Sequence, residues 1–164
     1  SKGVLLARRL VERGVRFIDV GFGGFDWHND NFDQCEQKLP ILDQALSALL
    51  QDLEEKGLLE STLVVVATEF GRTPKIVQER SGRNHFPKAF SYLLAGGGIK
   101  GGQVYGKTDK TGSNVAEKPV TGPDFNATIG YAMGVPHDLT LMSPSRRPFK
   151  LGARSGKPLT KLFG

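Results

Sequence analysis

Apolar residues recur at helical spacing in three parts of the chain. The first group is closed by Gly14 and the second by Gly57, and glycine is a common residue just past the end of a helix. The third follows Thr121–Asp124, whose proline suits the first turn of a helix. The three apolar faces consist of Val4, Leu5, Ala7, Leu10 and Val11, of Leu39, Leu42, Leu46, Leu49, Leu50 and Leu53, and of Phe125, Ile129 and Met133.

Three short apolar runs between these helices are predicted to be strands, namely Val15–Phe22, Ser61–Thr68 and Ala89–Ala95, and a fourth at Gln103–Lys107 stays open. The run Leu63–Ala67 is rich in β-branched residues and does not alternate with polar ones, which is typical of a strand covered on both faces. The order helix, strand, helix, strand, strand, helix predicts an α/β fold with a mainly parallel sheet flanked by helices.

The length of 164 residues and the hydrophobic share of 38% fit one folded domain better than two. Residues 1–164 are therefore predicted to form a single α/β domain, in which 136–164 is an irregular basic tail. No run approaches the roughly 20 apolar residues that cross a bilayer, so no membrane span is predicted. The single cysteine, Cys35, excludes an internal disulfide.

The net charge of +5 makes nucleic acid a partner to consider, because cations release counterions from phosphates. Much of the excess lies beyond position 145, interleaved with proline and glycine rather than placed on one helix face. These cations are Arg146, Arg147, Lys150, Arg154, Lys157 and Lys161. The pattern favours a solvated tail, and no nucleic-acid partner is predicted.

Four side chains with ligand chemistry lie in glycine-broken loops that closely follow apolar runs. Open α/β sheets bind their ligands in such loops. Asp26, His28, Glu69 and His85 offer two carboxylates and two imidazoles, a donor set that suits zinc, manganese or iron. Asp26 and His28 are two residues apart, so in extended backbone their side chains project to the same side.

Each of these signals also has a structural interpretation. Asp26 and His28 can form a simple hydrogen-bonded pair, and a lone histidine beside proline, as at His85, is often structural. Glu69 follows the most apolar run, where a carboxylate needs either solvent or a compensating cation. Arg72 can supply that charge in place of a metal. The prediction of a shared metal site therefore depends on the coincidence of several weak signals.

Four longer segments carry the most specific sequence patterns. They are Gly-Gly-Phe-Asp-Trp-His at 23–28, Ala-Thr-Glu-Phe-Gly-Arg-Thr-Pro at 67–74, Gly-Arg-Asn-His-Phe-Pro-Lys-Ala at 82–89 and Leu-Ala-Gly-Gly-Gly-Ile-Lys-Gly-Gly at 94–102. Together they resemble the carboxyl-terminal part of an uncharacterised bacterial family, a domain of unknown function placed in the alkaline phosphatase and sulfatase superfamily. The resemblance implies a partial alkaline-phosphatase-like fold, a larger parent protein and an extracytoplasmic location.

The same resemblance implies a set of metal ligands. Members of the superfamily hold metal with an Asp/His pair, an Asp-His-Gly turn after a central strand, and a later His. Asp26 and His28 resemble the pair and His85 resembles the later His, with zinc, manganese or calcium as the implied divalent cofactor. At the turn, Glu69 replaces the Asp and Phe70 replaces the His, which puts the second metal position in doubt because phenylalanine has no lone pair to donate.

The implied function is a metal-dependent hydrolase of phosphate or sulfate esters, with a small anionic ester as its partner. Glu69 and Arg72 are its predicted catalytic residues, the first as a ligand or base and the second as the cation that neutralises the anion's oxygens. The superfamily's nucleophile lies before this segment, so none is assigned here. The alternative is a non-catalytic metal-binding or structural module that keeps the fold, which Phe70 favours.

Overall fold

The structure is a computed structural model that describes residues 2–150, 152 and 155–164. The described residues include three α-helices: α1 (Lys2–Glu12), α2 (Asn31–Glu55) and α3 (Gly122–Ala132). All three predicted helices are confirmed, although α2 begins well before Leu39 and continues through Pro40. None of these helices has the run of apolar residues that crossing a bilayer would require.

The strands of the described residues are short, and each pairs with one antiparallel neighbour. The pairs are β1 (Val64–Val66) with β4 (Leu93–Ala95), β2 (Gly71–Arg72) with β3 (His85–Phe86), β5 (Lys107–Thr108) with β6 (Val115–Glu117), and β7 (Leu141–Met142) with β8 (Pro148–Phe149). The predicted α/β fold with a mainly parallel, alkaline-phosphatase-like sheet is therefore wrong.

The connection between β1 and β4 explains the error. Parallel neighbours need a long crossover, usually a helix, whereas the segment 67–92 contains no α-helix and returns the chain antiparallel to β1. Two predicted strands, Ser61–Thr68 and Ala89–Ala95, do contain β1 and β4. The third, Val15–Phe22, forms no strand, and its Phe17 is 72% exposed.

The buried core is small. The buried apolar residues of the described chain are Ala7, Ala45, Leu53, Phe125, Ala127 and Leu162. The accessible surface is 11759 Å², whereas a compact monomer of the same mass exposes roughly 8,000 Å². Around the candidate site, the segments are joined by hydrogen bonds between loops.

The basic tail contains structure that its composition does not predict. It includes the β7–β8 hairpin and a 3-10 turn at Thr160–Leu162. The amide of Leu159 donates to the hydroxyl of Thr128 in α3 at 3.0 Å, and the amide of Lys157 donates to Asp124 at 2.9 Å. The end of the tail is thus tied to α3 by directed hydrogen bonds.

Candidate metal centre

The loop that carries Asp26 and His28 is held at its start by a lysine from α2. The ammonium of Lys38 donates to the carbonyl oxygens of Gly23 and Gly24, the second at 2.9 Å. Its Nζ also lies over three aromatic rings, with the centroids of Phe22, Phe25 and Trp27 at 5.5, 4.8 and 5.6 Å. Carbonyl oxygens and ring faces both attract a cation, so Lys38 draws this loop onto α2.

The end of the same loop is joined to the turn before β3. Asp30 has a φ of 48°, a left-handed conformation that turns the chain into α2. Its amide donates to the carbonyl of Arg80 at 2.9 Å, and the amide of Asn31 donates to the carbonyl of Ser81 at 3.1 Å. These two backbone bonds fix the position of the loop relative to the segment that leads to His85.

Gly82 makes this approach sterically feasible. A Cβ added at Gly82 would overlap the carbonyl of His28 and would lie 3.3 Å from the Cα of Asn29. Any side chain at this position would push the two segments apart. The closeness of His28 to the strand that carries His85 therefore depends on glycine at position 82.

The register of β2 and β3 places two functional side chains opposite each other. Arg72 pairs with His85 across the strands, and opposite residues of an antiparallel pair project to the same face. The amide of Thr73 donates to the carbonyl of Asn84 at 2.9 Å, and Nε of Arg83 donates to the carbonyl of Thr73 at 2.6 Å. These bonds hold the short ribbon in one register.

The three segments converge on one carboxylate oxygen, Oδ1 of Asp26. The Nε2 atom of His85 lies 2.6 Å from it, Nε2 of His28 lies 3.2 Å from it, and a terminal nitrogen of Arg72 lies 3.2 Å from it. One ligand atom from each of Asp26, His28 and His85 lies within 4.8 Å of the others. We call these three residues the triad.

The electrostatics of the triad favour the ionised carboxylate. The hydrogen bond from His85 lowers the pKa of Asp26 most. Desolvation is the next-largest effect and opposes it, while the charges of His85 and His28 and the bond from Arg72 lower the pKa further. The Asp26 side chain is 73% exposed. A charged, solvent-accessible carboxylate is available to a cation that arrives from solution.

Phe70 occupies the position where the resemblance implied a metal-ligating histidine. Its ring centroid lies 4.3 Å from that of His85, which in turn lies 4.8 Å from that of His28. The phenyl ring therefore packs on an imidazole instead of donating a lone pair. Its contribution is to restrict the orientation of His85.

Glu69 is the one predicted ligand that the structure does not bring to the triad. It is exposed, and in the described part of the chain it forms neither an ion pair nor a side-chain hydrogen bond. The alternative ion pair between Glu69 and Arg72 does not form either. Arg72 instead donates to the carbonyl of Phe25 at 2.7 Å and to Asp26.

Two contacts that hold the site together were not predicted from the sequence. One is the contact of Lys38 with the loop that carries Asp26, and the other is the contact of Arg72 with Phe25 and Asp26, which are more than forty residues away. The aromatic and glycine-rich run at 22–27 is the only visible hint of the lysine contact. Neither contact has a spacing pattern, since each depends on how distant segments pack.

The donor set of the triad fits a divalent ion. Without an ion, Nε2–H of His85 donates to the Asp26 carboxylate. A bound ion would take the place of that proton, with each histidine keeping its proton on Nδ1 and offering the Nε2 lone pair that already faces Asp26. Two imidazole nitrogens and one carboxylate oxygen suit zinc, manganese or iron. They suit calcium poorly, because that ion takes six to eight oxygen ligands.

The fold and site together define a chain of helices and short antiparallel ribbons with a candidate site for a divalent metal. The chain belongs to a family described as protein of unknown function (DUF1501), which matches residues 1–163. The predicted membership in an uncharacterised family is thus confirmed, whereas nothing ties that family to the alkaline phosphatase and sulfatase superfamily. No curated protein and no solved structure matches the chain.

Proposed function

We propose that the chain provides the metal-binding site of a hydrolase that acts on phosphate or sulfate esters. The observation that carries this proposal is that the Nε2 atoms of His28 and His85 both approach one carboxylate oxygen of Asp26. The three residues lie up to 59 positions apart in the sequence. Histidine and aspartate in this combination are common ligands of catalytic metals. The neighbouring arginine adds a cation of the kind that anionic esters require.

In this function the triad residues hold the ion and Arg72 holds the substrate. When bound, a divalent ion supplies Lewis-acid stabilisation of negative charge on an ester oxygen. Arg72 contributes a guanidinium whose fork matches the oxygens of a phosphate or sulfate group. The site is open to water, which is the second substrate of an ester hydrolase.

The arrangement of Arg72 supports its role as an anchor for the anion. Its side chain is 17% exposed, and the carbonyls of Phe25 and Arg83 hold it at 2.7 and 3.2 Å. A guanidinium fixed in this way loses little further freedom when an anion binds. The carbonyl groups orient the guanidinium without neutralising it, so the Asp26 carboxylate at 3.2 Å is what offsets its charge.

A non-catalytic module is the second candidate function. The observation that favours it is the salt bridge between Arg72 and Asp26, since an arginine that compensates the carboxylate allows the triad to persist without an ion. In this version, the triad binds metal or serves structure without turnover. The two candidates differ in whether metal-loaded protein hydrolyses an ester.

The test combines metal content with ester hydrolysis. We expect wild-type protein dialysed against zinc or manganese to retain bound ion and to hydrolyse 4-nitrophenyl phosphate or 4-nitrophenyl sulfate. Asp26→Asn is expected to lose both properties, whereas Asp19→Asn, which removes an exposed carboxylate outside the triad, keeps both. Bound metal without turnover would reject the hydrolase and leave the module. Failure of wild-type protein to bind metal would reject the hydrolase and the metal-binding form of the module, and would leave only a structural role for the triad.

A further inference from the structure

A cleft of about 480 Å³ opens beside the triad. Its lining includes Thr68, Phe70, Arg72, Arg83, Phe90 and Thr108. Two of these residues also belong to the surroundings of the triad, because Arg72 contacts Asp26 and the ring of Phe70 packs on His85. A molecule in the cleft would therefore share two contact residues with the candidate metal centre.

The charge of the cleft is positive. Arg72 has one carboxylate partner, Asp26, at 3.2 Å. Arg83 donates to the carbonyls of Thr73 and Arg72 at 2.6 and 3.2 Å, and within the described residues no carboxylate lies within 4.0 Å of it. Two guanidiniums thus face a single carboxylate, which leaves an unbalanced cation on a half-buried side chain at the cleft wall.

The remaining walls combine apolar rings with hydroxyl groups. Phe70, Phe90 and Pro74 supply apolar surface, and Thr68, Ser91 and Thr108 supply hydroxyls. The tip of the β5–β6 hairpin forms one side, where a Cβ at Gly112 would lie 3.7 Å from Cγ of Pro74. Such a lining suits a molecule with an anionic group at one end and a ring at the other.

We propose that this cleft binds the anionic ester itself, with Arg72 and Arg83 taking the phosphate or sulfate group and Phe70 and Phe90 taking an organic ring. This inference rests on the proposed function, which it extends from a metal site to a substrate class: monoesters whose alcohol part is a ring. The cleft is formed by the protein alone, so it binds the ester before and independently of the metal.

Binding to metal-free protein tests the inference separately from catalysis. We expect phenyl phosphate to bind the chain of residues 1–164 treated with EDTA, as measured by isothermal titration calorimetry, and to bind more tightly than inorganic phosphate. Arg83→Gln is expected to weaken phenyl phosphate binding by about tenfold or more, since a charge-assisted hydrogen bond is lost. The matched control Lys75→Gln removes an exposed cation outside the cleft and is expected to change the affinity by less than about twofold.

A second variant guards against misfolding of Arg83→Gln. Ser91 is exposed and lines the cleft, so Ser91→Phe fills the space without removing a charge or a triad residue. It is expected to abolish phenyl phosphate binding while zinc binding stays unchanged. Equal affinity for phenyl phosphate in wild type and Ser91→Phe, or no saturable binding by wild type, would overturn the inference. A cleft that binds phenyl phosphate in a protein that never binds metal would instead reject the proposed function alone.

Discussion

Asp109 and Asp26 both lie in loops and both have a pKa below the ordinary value, but different kinds of partner hold them. In the β5–β6 hairpin, the side chain of Asn114 donates to Oδ2 of Asp109 at 2.9 Å, and the amides of Ser113 and Thr111 donate to Oδ1 at 2.9 and 3.0 Å. These bonds, together with one from the Thr111 hydroxyl, lower the pKa of Asp109 to about 2.

The partners of Asp26 differ in origin and in chemistry. His28 is close in sequence, but Arg72 and His85 are 46 and 59 positions away, whereas the partners of Asp109 lie within five residues. Amide groups can only donate to a carboxylate, while imidazoles also carry lone pairs that bind metals. A lowered pKa therefore does not identify a candidate metal site. What distinguishes Asp26 is that its partners carry lone pairs that can bind a metal.

Replacing each aspartate is expected to produce the largest difference between the two regions. Asp26→Asn removes the central carboxylate and should weaken zinc binding by more than about 100-fold, because even residues behind the ligands often contribute 10- to 100-fold. Asp109→Asn should leave zinc affinity unchanged. Competition titration with a chromogenic chelator measures both. Similar losses in the two variants would mean that zinc binding depends on general stability.

The next largest effect is expected at Gly82, where the two halves of the site meet. Gly82→Ala should displace the His28 carbonyl and weaken zinc binding by about 10- to 100-fold, comparable to loss of a residue that orients a ligand. The matched control is Gly21→Ala, since a Cβ at Gly21 meets nothing within 4 Å. The same titration applies. Wild-type affinity in Gly82→Ala would show that the close approach to His28 is unnecessary.

Lys38 provides a smaller test of the loop that carries Asp26. Lys38→Met removes the cation from the carbonyls and rings and should weaken zinc binding roughly fivefold, given the modest energies of exposed cation contacts. Trp27 is the single tryptophan of the chain and lies within the same cluster, so its emission should shift in this variant. Lys38→Arg should restore part of both properties. An unchanged Trp27 spectrum in Lys38→Met would contradict the positioning role.

Asp109 in the β5–β6 hairpin is expected to make the free energy of unfolding depend on pH. Because the pKa of Asp109 falls to about 2 on folding, its stabilising effect is complete above the ordinary aspartate range and is lost as pH falls toward that value. Urea unfolding at neutral pH should therefore show Asp109→Asn to be less stable than wild type. The difference should shrink below about pH 4. A difference that persists in acid would point to a role other than charge.

The smallest effect is expected at Glu69. The structure places this carboxylate in solvent and outside the triad, so Glu69→Gln should change zinc affinity by less than about twofold. Chelator competition measures this effect as well. A loss comparable to that of Asp26→Asn would restore Glu69 as a ligand, as its position after an apolar run suggested.

The helices were predictable because their apolar faces repeat within a few residues. The sheet was not predictable, since the Leu63–Ala67 run is compatible with parallel or antiparallel neighbours. Only the connection to β4, which contains no α-helix, decides between them. Hydrophobic content indicates that a run is a strand but does not identify its partner. Strand direction therefore depends on segments that the run itself does not contain.

The candidate site shows the same division. Residue type and loop position directed attention to Asp26, His28 and His85, because imidazole and carboxylate are ligand chemistry wherever they occur. The same reasoning also selected Glu69, because residue type and loop position do not tell which way a side chain after β1 points. Sequence reasoning could not predict the bond from Arg72 to Asp26, because the strand register that aligns Arg72 with His85 is a property of the folded ribbon.

The most direct measurement is anomalous diffraction at the zinc edge from crystals of zinc-loaded protein. We predict one peak at about 2.0–2.2 Å from a carboxylate oxygen of Asp26 and from Nε2 of His28 and His85. A peak at another position, or no peak while Asp26, His28 and His85 keep their mutual hydrogen bonds, would contradict the account.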